Sequence, residues 1–252
     1  MEKEIIQWIY EAGEKIRTAI RQETFVVDQK SSRTDLVTDV DKSIQDFLAD
    51  KIQQFDSSAT ILGEENGQDK TPIDKGRVFV IDPIDGTLNF VMQKENFCIM
   101  LAVYEEGIGQ LGFIYDVMRD DLFWGGRKVG GVYHNEDLLA PPPNKRLSDG
   151  LLGMGISIFA DNYYHTREIG ERSMGVRVLG CAGLDFIAIL KGIQIGYISL
   201  LSPWDYAAGS IMMEQFGMAF SGAEHQPLKF QDRELFIGLT QAAMDDVIQI
   251  IA

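Results

Sequence analysis

VFVIDPIDGTLNF, from Val78 to Phe90, sets four apolar residues, Val78 to Ile81, directly before two aspartates that flank a proline. The apolar run predicts a buried strand. Asp82 and Asp85 then sit at the end of a core strand, where desolvating a charge is costly unless something compensates it. Turn-capping hydrogen bonds, a cationic side chain and a bound metal ion are the candidates. Asp-Pro and Asp-Gly are ordinary turn formers, so a capped turn accounts for the pair. Ligation of a hard divalent cation such as Mg²⁺ accounts for it equally well, because a strand-to-turn junction projects carboxylates from a rigid support. On that account Pro83 restrains the turn, and the Ile84 carbonyl can face the side of the carboxylates. Gly86 and Thr87 then open a helix-like segment whose free N–H groups can hold a phosphate.

The stretches on either side define the elements around this junction. Ile5, Ile9, Ala12, Ile16 and Ile20 recur at helical spacing, as do Val40, Ile44, Phe47, Leu48 and Ile52. Thr38 suits the N-cap of the second helix, with Asp41 at the N3 position of a capping box. SSATILGEENG (57–67) reads as a short strand entering an acidic loop. From Phe97 to Leu138, period-two alternation broken by turn residues predicts an antiparallel meander. APPPNKRLSDG (140–150) is a linker candidate, since its prolines supply no ladder donors. It divides the chain into an N-terminal α+β half, 1–140, and a C-terminal half, 141–252. In the latter, strands LLGMGIS, VRVLG, IQIGYISLL and ELFIGLT trade with helices, predicting an α/β layer.

Bulk properties narrow the function classes. The 252 residues carry 38 acidic and 23 basic side chains, a net charge of −15 that disfavours nucleic acid and anionic membranes as partners. No apolar run approaches the ~20 residues of a membrane span, and no signal-peptide core is present, so a cytoplasmic location is expected. The two cysteines, Cys98 and Cys181, are far apart in apolar contexts. They predict free thiols used for packing, and no zinc-type ligand spacing is found. His134, His165 and His225 lie in no motif and read as surface or loop residues.

Further acidic residues fall at element ends. Glu64 and Glu65 follow the short strand ending ILG; in isolation they read as a solvated loop. Asp205, in SPWDYAAGS, sits where an N-cap would, with Pro203 and Trp204 suggesting a packed junction. KSSRTDLVTDVD contributes Lys30, Thr38 and Asp41.

Taken in order, GEE, DPIDGT and PWDYAAG resemble the inositol monophosphatase family of metal-dependent, lithium-sensitive phosphatases, and KSSRTDLVTDVD resembles its N-terminal segment. The resemblance runs from Lys30 into the last helices. It implies an α-β-α-β-α layered sandwich, joining α+β and α/β halves, with the site between them. It further implies a first Mg²⁺ held by Glu64, Asp82 and the Ile84 carbonyl, and a second held by Asp82, Asp85 and Asp205. A third, weaker ion near Glu64 is implied, with Mn²⁺ as a substitute metal. Thr87 and Asp41 would pair beside the attacking water, the N–H groups of Gly86 and Thr87 would grip the phosphate, and Lys30 would lie on a loop near the site. Glu64 and the Thr87–Asp41 pair would serve catalysis by orienting or deprotonating that water. A small phosphorylated substrate and a homodimer are expected. The sequence departs from the family pattern before PWD: a glutamate that contacts substrate hydroxyls is replaced by Ile198, Ser199, Leu200 and Leu201. That loss relaxes discrimination for inositol phosphate and keeps fructose 1,6-bisphosphate, NADP and 3′-phosphorylated nucleotides open as substrates. GCAGLD (180–185) likewise replaces a more usual Gly-Ser-Ala stretch.

Overall fold

In the computed structural model, which describes residues 1–23, 25–29, 36–65, 67 and 69–251, the run Val78–Ile81 is buried on both faces. The chain opens with α1 (Glu2–Gln22), a ribbon of β1 (Val27–Gln29) and β2 (Leu36–Thr38), and α2 (Asp39–Phe55). A seven-stranded sheet follows, beginning with β3 (Thr60–Gly63) and β4 (Arg77–Asp85). After the short helix α3 (Thr87–Gln93) it continues as a meander. The meander comprises β5 (Cys98–Glu105), β6 (Ile108–Asp116), β7 (Asp121–Gly126), β8 (Gly131–His134) and β9 (Asp137–Leu138). β3 is parallel to β4 and every later pair is antiparallel.

The remaining elements are β10 (Leu151–Met154), α4 (Ile156–Ala160), α5 (Thr166–Arg172), β11 (Gly175–Arg177) and α6 (Ala182–Leu190). They are followed by β12 (Gln194–Leu201), α7 (Pro203–Gln215), β13 (Ala219–Ser221), β14 (Glu234–Leu239) and α8 (Gln241–Ile251). Their strands form a second sheet in the order β11-β10-β12-β14-β13. It is mixed rather than all parallel, because β14 runs antiparallel to both β12 and β13. The short α4 and α5 and the three-residue β13 lack the periodic length that makes an element visible in sequence.

Side-chain alternation sorts the core into layers. Phe79 and Ile81 of β4, with Ile99, Leu101 and Phe113, pack against Ile5, Ile9 and Ile16 of α1 and Ile44 and Leu48 of α2. Val78 and Val80, with Met100 and Ile114, face the other way, onto Phe186 of α6 and Tyr206, Ala208 and Met212 of α7. Those helices cover Tyr197, Leu201 and Phe236 of the second sheet, whose far face holds α8 through Ala243, Met244 and Val247. The order is therefore α-β-α-β-α. Both faces of β4 are covered by helices, which is why its apolar run does not alternate with polar residues. Segment 140–150 separates the two sheets in sequence, yet α6 and α7, which follow it, share one hydrophobic core with the first sheet.

The fit of α7 on the first sheet depends on missing side chains. A Cβ on Gly112 of β6 would lie 2.3 Å from the Ala208 carbonyl oxygen of α7, inside any real contact distance. Gly112→Ala must push α7, which carries Asp205, off the sheet. A loss of about 1–3 kcal/mol is expected from such overpacking, read as a lower urea midpoint with an unchanged slope.

Candidate active site

Two carboxylates three residues apart on a regular strand point to opposite faces. Here they do not. Asp82 stands opposite Met100 of β5, and Asp85 stands opposite Cys98, so β4 spends three residues where β5 spends two. Pro83 cannot donate to the ladder, and the extra residue is absorbed there as a bulge. Met100 and Cys98 share one face, the face that meets α6 and α7, and both aspartates are turned to it. Ile84, in the bulge, is buried in the opposite layer with α1 and α2. The strand thus continues through DPID rather than ending before it, and the turn begins at Gly86, whose φ of 88° suits glycine.

The first turn of α6 receives Asp85. Cys181 is the N-cap of that helix but makes no side-chain cap; the Gly183 N–H donates instead to Asp85 Oδ2 at 2.5 Å. A carboxylate is favoured at a helix N-terminus by the free amides and the dipole. Cys181 Sγ lies 3.1 Å and Cys98 Sγ 3.5 Å from the same oxygen. Burial pushes the Asp85 carboxyl upward, and the Gly183 and Cys181 hydrogen bonds pull it back.

Asp205 occupies N3 of α7, behind Pro203 at the helix start, in a capping box with Ser202; the Ser202 N–H donates to Asp205 Oδ2 at 2.8 Å. Burial raises its carboxyl well above the usual range, and the charges of Asp85 and Glu64 push the same way, against the Ser202 amide and Arg233. Asp82, 1% exposed, accepts one hydrogen bond from the Ile84 N–H at 3.1 Å. Burial raises it well above its ordinary value, and the charges of Glu64, Asp85, Asp205 and Asp41 add to the shift in that order. Glu64 begins just past β3, its N–H bonded to the Ile81 carbonyl at 3.3 Å, which ties it to β4 one residue before Asp82. Acidic groups from β4, α2, α7 and the loop after β3 therefore act on one buried carboxyl. Glu65, by contrast, is tied to Gln45, which accepts its N–H at 2.9 Å and donates to its carbonyl.

Asp41 is both the helix cap and part of this cluster. Its Oδ2 accepts from the Thr38 N–H at 2.9 Å and from the Thr38 hydroxyl, completing the capping box of α2. Its Oδ1 faces Thr87 Oγ1 at 3.1 Å, and that hydroxyl is also 3.0 Å from the Ile84 carbonyl. Burial pushes the Asp41 carboxyl up to about 6.

A cleft of about 250 Å³ opens beside the cluster, its wall formed by Asp85, Asp205, Asp185, Cys181, Ser199 and Arg233, among others. Asp82 and Asp41, both buried, are not among its lining residues. Asp185 accepts from Gln194 Nε2 at 3.0 Å, and burial pushes it to about 7, with the charge of Asp85 adding to the rise. Ser199 on the same wall is 7% exposed, and the segment Ile198, Ser199, Leu200 and Leu201 offers the cleft no carboxylate. At the rim, Arg233 donates from Nε to the Leu200 carbonyl at 3.1 Å.

The structure thus draws Asp41, Glu64, Asp82, Asp85, Thr87 and Asp205 together, with Gly86 and the Ile84 carbonyl alongside. Lys30 lies outside the described residues. His134 departs from a surface-loop reading: it is in β8, half-buried, stacked on Phe123 and 3.0 Å from Asp121. Arg233, Asp185 and the two thiols at Asp85 were not expected at the site. Arg233 belongs to no motif, Asp185 closes the GCAGLD stretch, where attention falls on Cys181, and Cys98 and Cys181 are 83 residues apart.

The whole chain, residues 1–252, matches the Inositol monophosphatase family. The inositol-1-monophosphatase of Bacillus subtilis strain 168 is 37% identical over 231 residues, covering 89% of this chain and 86% of that one. The fructose-1,6-bisphosphatase/inositol-1-monophosphatase of Thermotoga maritima is 28% identical over 230 residues, with the same coverage of 89% and 86%. Among solved structures, an IMPase/NADP phosphatase complexed with Mg²⁺ and phosphate superposes with a TM-score of 0.90 at 26% identity, covering 99% of this chain and 94% of its own. The chain belongs to the inositol monophosphatase family, a family of phosphatases acting on phosphate monoesters.

Proposed function

We propose that the protein is a Mg²⁺-dependent phosphomonoesterase for a small polyol or sugar phosphate, with inositol 1-phosphate the first substrate to test. The observation that carries this is Asp82: buried, and acted on most strongly by burial and by four other carboxylates, with no cationic side chain among them. Like charges at such density need a counter-charge, and an all-oxygen donor set suits a hard divalent cation. Glu64, Asp82, Asp85, Asp205 and the Ile84 carbonyl are the ligands in this reading, which the Mg²⁺ and phosphate of the related IMPase/NADP phosphatase support. Bound Mg²⁺ supplies a water of lowered pKa and a counter-charge for the leaving alkoxide.

The chain's own groups do the rest. The Thr87 hydroxyl, donating to Asp41, keeps lone pairs for a hydrogen of the attacking water. Glu64 shares the task of orienting and deprotonating it. The Gly86 and Thr87 amides at the start of α3 hold the phosphoryl group, and the cleft takes the alcohol. Homodimer formation, lithium inhibition and a cytoplasmic setting are carried in this reading from the family resemblance; the first is checked by the mass in solution.

Arg233 favours a second reading, in which the substrate bears another anionic group, as fructose 1,6-bisphosphate, NADP and 3′-phosphorylated nucleotides do. It places a guanidinium on a cleft wall whose other charged residues are Asp85, Asp185 and Asp205 and which holds no glutamate among the described residues. A panel of these compounds and inositol 1-phosphate, assayed with Mg²⁺, tests both. If the second holds, Arg233→Gln lowers kcat/KM about tenfold for the doubly anionic substrates and leaves the simple monoester unaffected, the size of one charge-assisted hydrogen bond. Release of phosphate from none of the panel would refute the phosphomonoesterase reading.

A further inference from the structure

Three buried donor atoms meet beside the cleft: Cys98 Sγ from β5, Cys181 Sγ from the N-cap of α6 and Asp85 Oδ2 from β4. The sulfurs are 3.7 Å apart, and they lie 3.5 Å and 3.1 Å from the carboxylate oxygen. A tetrahedral zinc ion, with Zn–S near 2.3 Å and Zn–O of 2.0–2.2 Å, sets two sulfurs about 3.8 Å apart and sulfur about 3.6 Å from oxygen. Two edges of the observed triangle, 3.7 Å between the sulfurs and 3.5 Å from Cys98 Sγ to the oxygen, match these figures, and the third, 3.1 Å from Cys181 Sγ, must open by about 0.5 Å to admit the ion. Asp85 and Cys181 also line the cleft, the side from which an ion would reach the three atoms.

Sulfur donors select thiophilic cations and are poor ligands for Mg²⁺, whereas the neighbouring all-oxygen cluster has the opposite preference. Asp85 belongs to both sets. We propose that Cys98, Cys181 and Asp85 form a site for a thiophilic divalent cation, Zn²⁺ or Cd²⁺, whose occupation draws Asp85 from the Mg²⁺ cluster and stops the phosphatase. On binding, each thiol gives its proton to solvent and both sulfurs bond to the metal as thiolates. The inhibition rests on the reading of Asp85 as a Mg²⁺ ligand; the site itself rests on the sulfur and oxygen geometry.

The test is a titration of the full chain with Cd²⁺ under excess Mg²⁺, following thiolate-to-metal charge-transfer absorption and phosphate release together. The absorption should saturate at one Cd²⁺ per chain, with activity lost in parallel. Cys181→Ser, which restores the residue more usual in the family, should abolish the band and raise the inhibitory Cd²⁺ concentration at least about tenfold, relative to that variant's own activity. Cys98→Ser serves as the second variant, and melting in chelator confirms that each is folded. No band in the parent protein, or a band that survives both substitutions, overturns the site. A one-to-one band with full activity retained overturns the link to Asp85 as a Mg²⁺ ligand while upholding the sulfur site.

Discussion

Asp82→Asn is expected to lower phosphate release by about 10³-fold or more while leaving the protein folded. Asp82 is the carboxyl on which the charges of Glu64, Asp85, Asp205 and Asp41 all act, so in the proposed reading it would be the central metal ligand. Asparagine keeps the shape and can still accept the Ile84 N–H, but carries no charge. In chelator the same substitution should stabilise the protein at pH 8, because it removes one member of a buried group of like charges. The paired outcome, activity collapsing as metal-free stability rises, separates a metal ligand from a structural aspartate, whose loss would lower both. Unchanged turnover would place the activity in a different site or a different protein.

The metal-free protein should lose stability steadily as pH rises from about 4 to 8, and Mg²⁺ should restore it. Asp41 and Asp185 titrate in the fold at about 6 and about 7, against 3.8 for an ordinary aspartate, and Asp82 and Asp205 are raised as well. For each, the unfolded chain gives up its proton near 3.8 and the folded one holds it to higher pH. Above that point the native state binds more protons than the unfolded state, and stability falls with pH until the folded groups ionise. Mg²⁺ at a hundred times its Kd adds about 2.7 kcal/mol per site. For a chain of this size that corresponds to a rise in Tm on the order of 10 °C for two ions. The rise should be larger at pH 8 than at pH 5.5, where the cation must displace protons. Melting curves in chelator and in Mg²⁺ at both pH values check this; a Tm that climbs with pH in chelator would contradict it.

How much of this was legible in the chain depends on the range of the interactions. The α2 cap was readable because Thr38 and Asp41 are three residues apart and interact locally. The meander was readable because turn residues divide the stretch from Cys98 to Leu138 into short strand-length runs. Asp85's orientation was not, since it depends on where the β4–β5 ladder absorbs an extra residue, a property of two strands together. Pro83 was the available signal: a residue without an N–H inside a core strand marks a bulge. The mixed second sheet followed the same logic, because strand direction is set by the tertiary path of β14 and not by its composition. The thiol pair stayed hidden behind an 83-residue separation that no metal-ligand spacing rule covers. Arg233 was invisible for another reason: a lone arginine in a loop becomes informative only once it is known to share a cleft with Asp85, Asp185 and Asp205.

The location of the bound cation is the most direct test of the whole account. Metal-free crystals soaked in Mn²⁺ and measured for anomalous scattering should show ions enclosed by Glu64, Asp82, Asp85 and Asp205. Anomalous peaks only at surface carboxylates, with these four bare at a saturating concentration, would contradict it.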